Sequence, residues 1–574
     1  MEYQSTTKQC QNCHQSFVIE PDDFSFYEKI KVPPPTFCPE CSKQRRLSYR
    51  NTHSLYKRND SFSGTKIISI FSPDKNLVVI DQNIWWGDSW DPFDYGIDYD
   101  FSRSFFEQWK DFRDKFPQLS MSNSRATNSD YCNVAEESKD SYLSTACWKI
   151  ENTLYSDALT EIKDSMDLHV VHKTSFSYED VDCSDSNLLF YSKDSHVCVD
   201  SYFLYDCHGC NNCFMSSNLR NKNYYFYNKQ LSKEEYKKEI SKINLGDYLD
   251  IEKLKKDFER MKLNSIHRFA FITNSYNVSG DNINHAKNCH NCFNLSKKIE
   301  DCKNIFWAVD DVKDVYNSGP GVGQLELGYE VFDTGAGGNN CLFSNVVYYS
   351  KNIEYSFYCF SCSNCFACFG LRSKNYCIFN RQYNKEEYFS LRQKIIDHMN
   401  NNPYTNKSGI VYRYGEFFPN EFSPFCYNET VAQDYFPLEK EETIKSDFLW
   451  KDKEIRNYIP TIKAGDLPND IKEVDDSILD QIIECEHNGN CKDRCSTAFK
   501  IIANELIFYR RFNIPLPHLC YGCRHYSRLK QRNPMKLWHR KCMKEGCENE
   551  FETSYAPDRP EIIYCEQCYQ KEVY

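Results

Sequence analysis

The sequence predicts a mainly β, multi-domain chain in which duplicated zinc ribbons at both termini flank a repeat body. That body is expected to be a parallel β-solenoid in two halves with short helical segments. Three observations carry this. Paired cysteines recur at the two ends at one offset. Between about 120 and 400, short aromatic and β-branched runs alternate with turns rich in Asp and Asn. A cysteine-rich stretch of that region recurs 152 residues on.

The N-terminal ribbon reads Cys10-x2-Cys13, a loop of 24 residues, then Cys38-x2-Cys41; near the other end stand Cys491-x3-Cys495, again 24 residues, and Cys520-x2-Cys523. An offset of 482 superimposes Phe17 on Phe499, Phe26-Tyr27 on Phe508-Tyr509, and Arg46, Arg50 and Arg58 on Arg528, Arg532 and Arg540. Two cysteine knuckles supply four soft ligands for one tetrahedral zinc, and closure by four thiolates marks a structural ion. A ribbon of this size has too little core to fold alone, so the metal supplies the folding energy. The x3 spacing of Cys491 and Cys495 is loose, which leaves Cys485 as an alternative ligand.

A further ribbon follows at the C-terminus, Cys542-x4-Cys547 with Cys565-x2-Cys568. Its N-terminal counterpart carries Asp60, at an offset of 482, and Ser63, Asp81 and Ile84, at an offset of 484, at the ligand places. Isoleucine cannot ligate, so that copy is expected to keep its strands without a metal. The expectation is three Zn2+ per chain.

The first ribbon resembles a "probable zinc-ribbon" family, with CQNCHQSF, FY and VPPPTFCPECSKQRR matching its pattern. More broadly the chain is similar to uncharacterised zinc-ribbon proteins of candidate-phyla bacteria, through FETSYAPDRPEIIYCEQCY, WDPFDYGIDYDFSR and DFRDKFPQLSMSN. The resemblance implies zinc binding and a cytosolic bacterial setting, and no known activity.

In the body, Asp140, Asn152 and Asp164 are spaced by 12. Such residues suit tight bends because they tolerate left-handed backbone. Cys207-x2-Cys210-x2-Cys213 recurs as Cys359-x2-Cys362-x2-Cys365, followed by Cys368. Two readings stand for these: small buried residues at bends between rungs, or an additional metal or iron–sulfur site. Each copy runs into a capping-box helix start, Ser232 with Glu235 and Asn384 with Glu387. Terminal solenoid rungs need covering, a role open to the ribbons.

These features divide the chain as follows: a ribbon with a basic flank at 1–58; a metal-free second ribbon with an acidic, Trp-rich segment at 59–119; solenoid halves at 120–265 and 266–400; a linker at 401–484; and ribbons at 485–541 and 542–574. With 574 residues, 30 cysteines, 16% aromatics and a net charge of −12, the chain is neither disordered nor wholly coated by nucleic acid. No apolar run is long enough to span a bilayer, and the polar start lacks an apolar signal core, so a cytoplasmic protein without membrane contact is expected, its cysteines holding metal.

The leading functional reading is a non-enzymatic zinc-binding scaffold for a protein or polymer partner. The alternative is nucleic-acid contact: eight Lys/Arg and no acid lie between Cys520 and Lys544, with Arg46, Arg50, Arg528 and Arg532 as the candidate contacts. A third reading, a carbohydrate-active β-helix enzyme, rests on Asp310-Asp311. No GxSxG or HExxH string and no phosphate loop occurs, and no catalytic residue is assigned.

Overall fold

The computed structural model of the chain describes residues 3–452 and 459–574. Its centre is a parallel β-solenoid built from three-residue sides. In the first half Ala146, Lys149, Asn152, Tyr155 and Ala158 all adopt left-handed backbone, with φ from 48° to 57°. The residue after each corner points inward: Cys147, Ile150, Thr153, Ser156 and Leu159 are at most 5% exposed. The register advances by 12, so that Asp157 faces Thr145 on one side and His169 on the other. One turn therefore has four corners.

A left-handed non-glycine residue costs roughly 1–2 kcal/mol, so each corner needs compensation. Part comes from corner amides and carboxylates that stack between turns. Asn152 Nδ2 donates to Asp164 Oδ1 at 2.6 Å, and the column Asn340, Asn352, Asn364 is linked at 2.9 and 3.1 Å. The rest comes from inward serines. Ser156 Oγ donates to Leu154 O at 2.8 Å and accepts the Leu168 N–H, one turn on, at 3.0 Å; Ser356 repeats this with Glu354 O and the Cys368 N–H. A buried hydroxyl with both partners meets the demand that interior polar groups be satisfied.

Four inward side chains per turn leave a narrow interior that admits Ser, Thr, Cys, Val, Leu and Ile. The cysteines from Cys132 to Cys377 belong here, all buried in two apolar columns, one per half. Among them are Cys207, Cys210, Cys213, Cys359, Cys362, Cys365 and Cys368. Their spacing of three is the length of a side.

The second half, from Ile272 to Gln382, departs from the even turn. Ile299 pairs with Ala286 and Val312, a step of 13, whereas Val322 pairs with Thr334 and Asn339 with Lys351 at a step of 12. The extra residue is a doubled corner: Lys297 and Lys298 are both left-handed, and so are Asp310 and Asp311 above them. Asp311 is paired with Lys298 Nζ at 2.8 Å and Asp310 accepts from Gln324 Nε2 at 3.0 Å. The Asp310-Asp311 pair is thus an inserted solenoid corner with neighbours of its own.

The termini dock crosswise. The N-terminal cysteine module packs on the second half, where Phe26 stacks on Tyr316 with ring centroids 3.9 Å apart. The C-terminal counterpart packs on the first half, joining Phe508 and Tyr509 to Tyr155 and Tyr178. The module that follows each one covers the start of the other half. Val79–Ile80 runs parallel to Gln118–Leu119 at the entry to the first half, and Ile562–Tyr564 runs parallel to Ile266–Arg268 at the entry to the second. The far ends are closed by hairpins and by capped helices, Lys233–Ile240 and Lys385–Asn401. The acidic Trp segment covers the second half's last turn, with buried Trp85 beneath the Arg372 guanidinium. Residues 404–448, expected as linker, are folded against the N-terminal module, with Phe417 and Phe418 in its core.

In the N-terminal second module a carboxylate does the work of a metal. Asp60 Oδ1 accepts the Phe62 and Ser63 N–H groups at 2.8 and 2.6 Å, and Oδ2 accepts the Asp81 N–H at 2.5 Å. Burial alone would raise the Asp60 pKa, but these hydrogen bonds hold it below the ordinary 3.8. The stabilisation is therefore full above that value and is lost as pH falls through the lower, folded one. Hydrogen exchange of the Ser63 and Asp81 amides should accelerate on acidification over that window, and Asp60→Asn should abolish the dependence.

Candidate metal centres

Three groups of four cysteines each place their Sγ atoms within 4.8 Å of one another: Cys10, Cys13, Cys38 and Cys41; Cys485, Cys495, Cys520 and Cys523; and Cys542, Cys547, Cys565 and Cys568. The local fold explains the convergence. A short antiparallel hairpin, Thr6–Gln9 with Ser16–Ile19, presents Cys10 and Cys13 at its turn. Cys38 caps the helix Pro39–Leu47, whose first turn carries Cys41. Cys520 and Cys565 occupy the same N-cap place on Tyr521–Leu529 and Glu566–Val573. A helix N-terminus carries partial positive charge, so it favours the thiolate form that a metal requires.

The second quartet departs from the expected ligand set in one member. Cys485, immediately after the strand Ile483–Glu484, takes the place that Cys10 holds after Thr6–Gln9. The connection at 485–497 is longer than its counterpart at 10–15, and Cys491 lies beside the quartet rather than in it. Its Sγ is 3.6 Å from Cys523 Sγ, and with His487 it forms a second, overlapping group around that sulfur. Cys485→Ser is expected to release the ion, whereas Cys491→Ser should retain it; metal content of the two purified variants decides this.

The four arginines proposed as nucleic-acid contacts are turned inward. Arg46 bonds Glu330 at 2.9 Å with both side chains at most 2% exposed, and Arg50 grips Asp333 through two bonds of 2.8 and 3.0 Å. Arg528 bonds Asp167 at 2.7 Å and Arg532 bonds Asp182 at 2.9 Å. Each module thus inserts two guanidiniums into solenoid carboxylates. They lock the ends to the body, and none is free to meet a phosphate.

Comparison with family models finds no match, and neither does comparison with curated proteins or with solved structures. Among the described residues no helix is long and apolar enough to cross a membrane.

One polar cluster escaped the sequence reading. Asp157 and His169 lie one above the other in the first half, and His53 and His525 reach them from the two terminal modules. The signal was the 12-residue step itself, which stacks Thr145, Asp157 and His169 in a column.

Proposed function

We propose that the three cysteine quartets hold Zn2+ and that the chain is a non-enzymatic scaffold, a twin solenoid clamped shut by its own termini that presents a surface to a protein or polymer partner. All-sulfur donor sets favour zinc over harder divalent ions, and four protein ligands leave no open position for substrate. The crosswise docking carries the reading. Metal-bearing modules, buried arginines and aromatic cores are all spent on closing the ends, which is the economy of a rigid platform. The inward arginines remove the main support for nucleic-acid contact, and the doubled corner at Asp310-Asp311 removes that for sugar chemistry. Capture of the full chain from its native cells should yield a stoichiometric protein or polymer partner that survives nuclease treatment. Recovery of nucleic acid alone, released steeply by salt, would contradict the scaffold reading.

A further inference from the structure

Where the two halves and both terminal modules meet, a cavity of about 300 Å³ opens. Its walls are mostly apolar and aromatic, with Trp148, Trp307 and Tyr435 among them; its polar lining includes His53, Asp157, His169 and His525, with Arg50, His172, Asp333 and Asp434 around them. His169 is 1% exposed and neither ring nitrogen has a hydrogen-bond partner; His525, 5% exposed, has an unpartnered Nδ1. Buried imidazole nitrogens left without partners are costly and call for an explanation.

The internal duplication shows that folding does not require this chemistry. The ribbon offset places Met535 where His53 stands and Lys43 where His525 stands. Along the solenoid columns, Asp281 and Phe293 pair as Asn133 and Thr145 do, with Phe306 next above, so Phe293 and Phe306 occupy the places of Thr145 and Asp157. At that sister junction Phe293, Phe306, Leu47 and Met535 form an apolar plug. The same architectural joint is therefore made once with apolar side chains and the Lys43 ammonium, which donates to Met535 O at 2.9 Å, and once with three histidines and a carboxylate around a cavity.

Two imidazoles approach the two oxygens of the Asp157 carboxylate. His169 Nδ1 lies 3.3 Å from Oδ2 without hydrogen-bond alignment, and His53 Nε2 lies 3.7 Å from Oδ1, beyond a hydrogen bond. Donors around an ion with bonds of about 2.1 Å stand roughly 3–3.5 Å apart. His53 Nδ1 is held by Tyr521 OH at 3.2 Å, the outer-shell partner that orients a ligating imidazole. Thr145 Oγ1 donates to Asp157 Oδ1 at 2.5 Å, fixing the carboxylate. Imidazole nitrogens and one carboxylate suit a divalent transition metal.

We infer that His53, His169 and Asp157, with His525 beside them, bind a divalent transition-metal ion whose remaining positions face the cavity. The donors do not converge as tightly as the cysteine quartets, so binding draws the imidazoles inward.

The test uses the full-length, zinc-containing protein saturated with Co2+ and desalted. Wild type should carry one metal equivalent more than the cysteine quartets hold. The added cobalt should show ligand-field bands without thiolate charge transfer, which separates this site from any exchange at cysteine. Asp157→Asn and His169→Gln should each lose that equivalent while keeping the metal held by cysteine and an unchanged circular dichroism spectrum. Tyr521→Phe should weaken the site by roughly tenfold or more, as outer-shell changes do. Wild type taking up no metal beyond the quartets would overturn the inference without bearing on the zinc reading; so would uptake equal in wild type and Asp157→Asn.

Discussion

Removing metal with a chelator is expected to unfold both ends of the chain and to uncover the solenoid surfaces beneath them. Zinc-finger peptides gain roughly 10–16 kcal/mol from one structural zinc. Here two of the three quartets also position a helix that carries a locking arginine, Arg46 on Pro39–Leu47 and Arg528 on Tyr521–Leu529. Amide exchange should then rise throughout the terminal modules and along Tyr155, Tyr178, Tyr316 and Tyr329, whose rings lie under the docked ends. The inner turns should keep their protection, because their serine and asparagine ladders run within each half. Termini that remain protected after complete metal removal would contradict this.

Cutting one lock is the second large effect. Arg528→Met leaves Asp167, which is fully buried, facing only Arg524 at 3.5 Å. Removing one partner of a buried ion pair typically costs about 3–5 kcal/mol, because the remaining charge cannot be hydrated. Arg46→Met should behave alike, since it strands Glu330 beside Arg45 at 3.7 Å. The double variant Arg528→Met with Asp167→Leu should recover much of the loss, since apolar replacement of a buried pair is often neutral or stabilising. Urea denaturation of the single and double variants measures this. A single variant within about 0.5 kcal/mol of wild type, the range of ordinary surface substitutions, would show that the arginines do not lock the ends.

Much of this architecture was legible before any coordinates. Cysteine spacing located the terminal modules, because thiols that converge on one point stand at short, fixed separations along the chain. The offset from Cys542–Cys568 to Asp60–Ile84 showed which copy had lost its ligands, although the Asp60 carboxylate's own set of hydrogen bonds could only be seen in the fold. Asp140, Asn152 and Asp164 disclosed the turn length. The three-residue side was harder to read, since left-handed corners fall on Ala146, Lys149 and Tyr155 as readily as on Asp or Asn. Composition therefore hides a period that the backbone obeys. That same period explains Cys359, Cys362, Cys365 and Cys368 as successive inward residues. Cys485 was visible only as an alternative, because loop length, unlike knuckle spacing, does not constrain which thiol arrives. The arginines misled: a run of cations without acids looks like a phosphate-binding flank, and nothing local reveals that Asp167, Asp182, Glu330 and Asp333 lie opposite. Long-range pairing of this kind is set by the docking of whole modules.

The duplication gives the molecule an approximate internal symmetry in which the first ribbon at each end packs on the half of the body farther from it in sequence and the module after it covers the start of the nearer half. Docking of the C-terminal ribbon must then follow synthesis of Arg528 and Arg532, which meet Asp167 and Asp182. The His53–Asp157 junction is where the symmetry is broken, and the difference is one of chemistry rather than of shape.

The central claim is that thiolate quartets grip zinc and thereby clamp the ends to the twin solenoid. Anomalous difference maps from crystals of the purified protein, recorded on either side of the zinc absorption edge, test it most directly. The account predicts a peak at the centre of each quartet, with Cys485 rather than Cys491 completing the second, and none between Asp60 and Asp81. Sulfurs joined as disulfides, or quartets without a peak in protein purified with its metal, would contradict it.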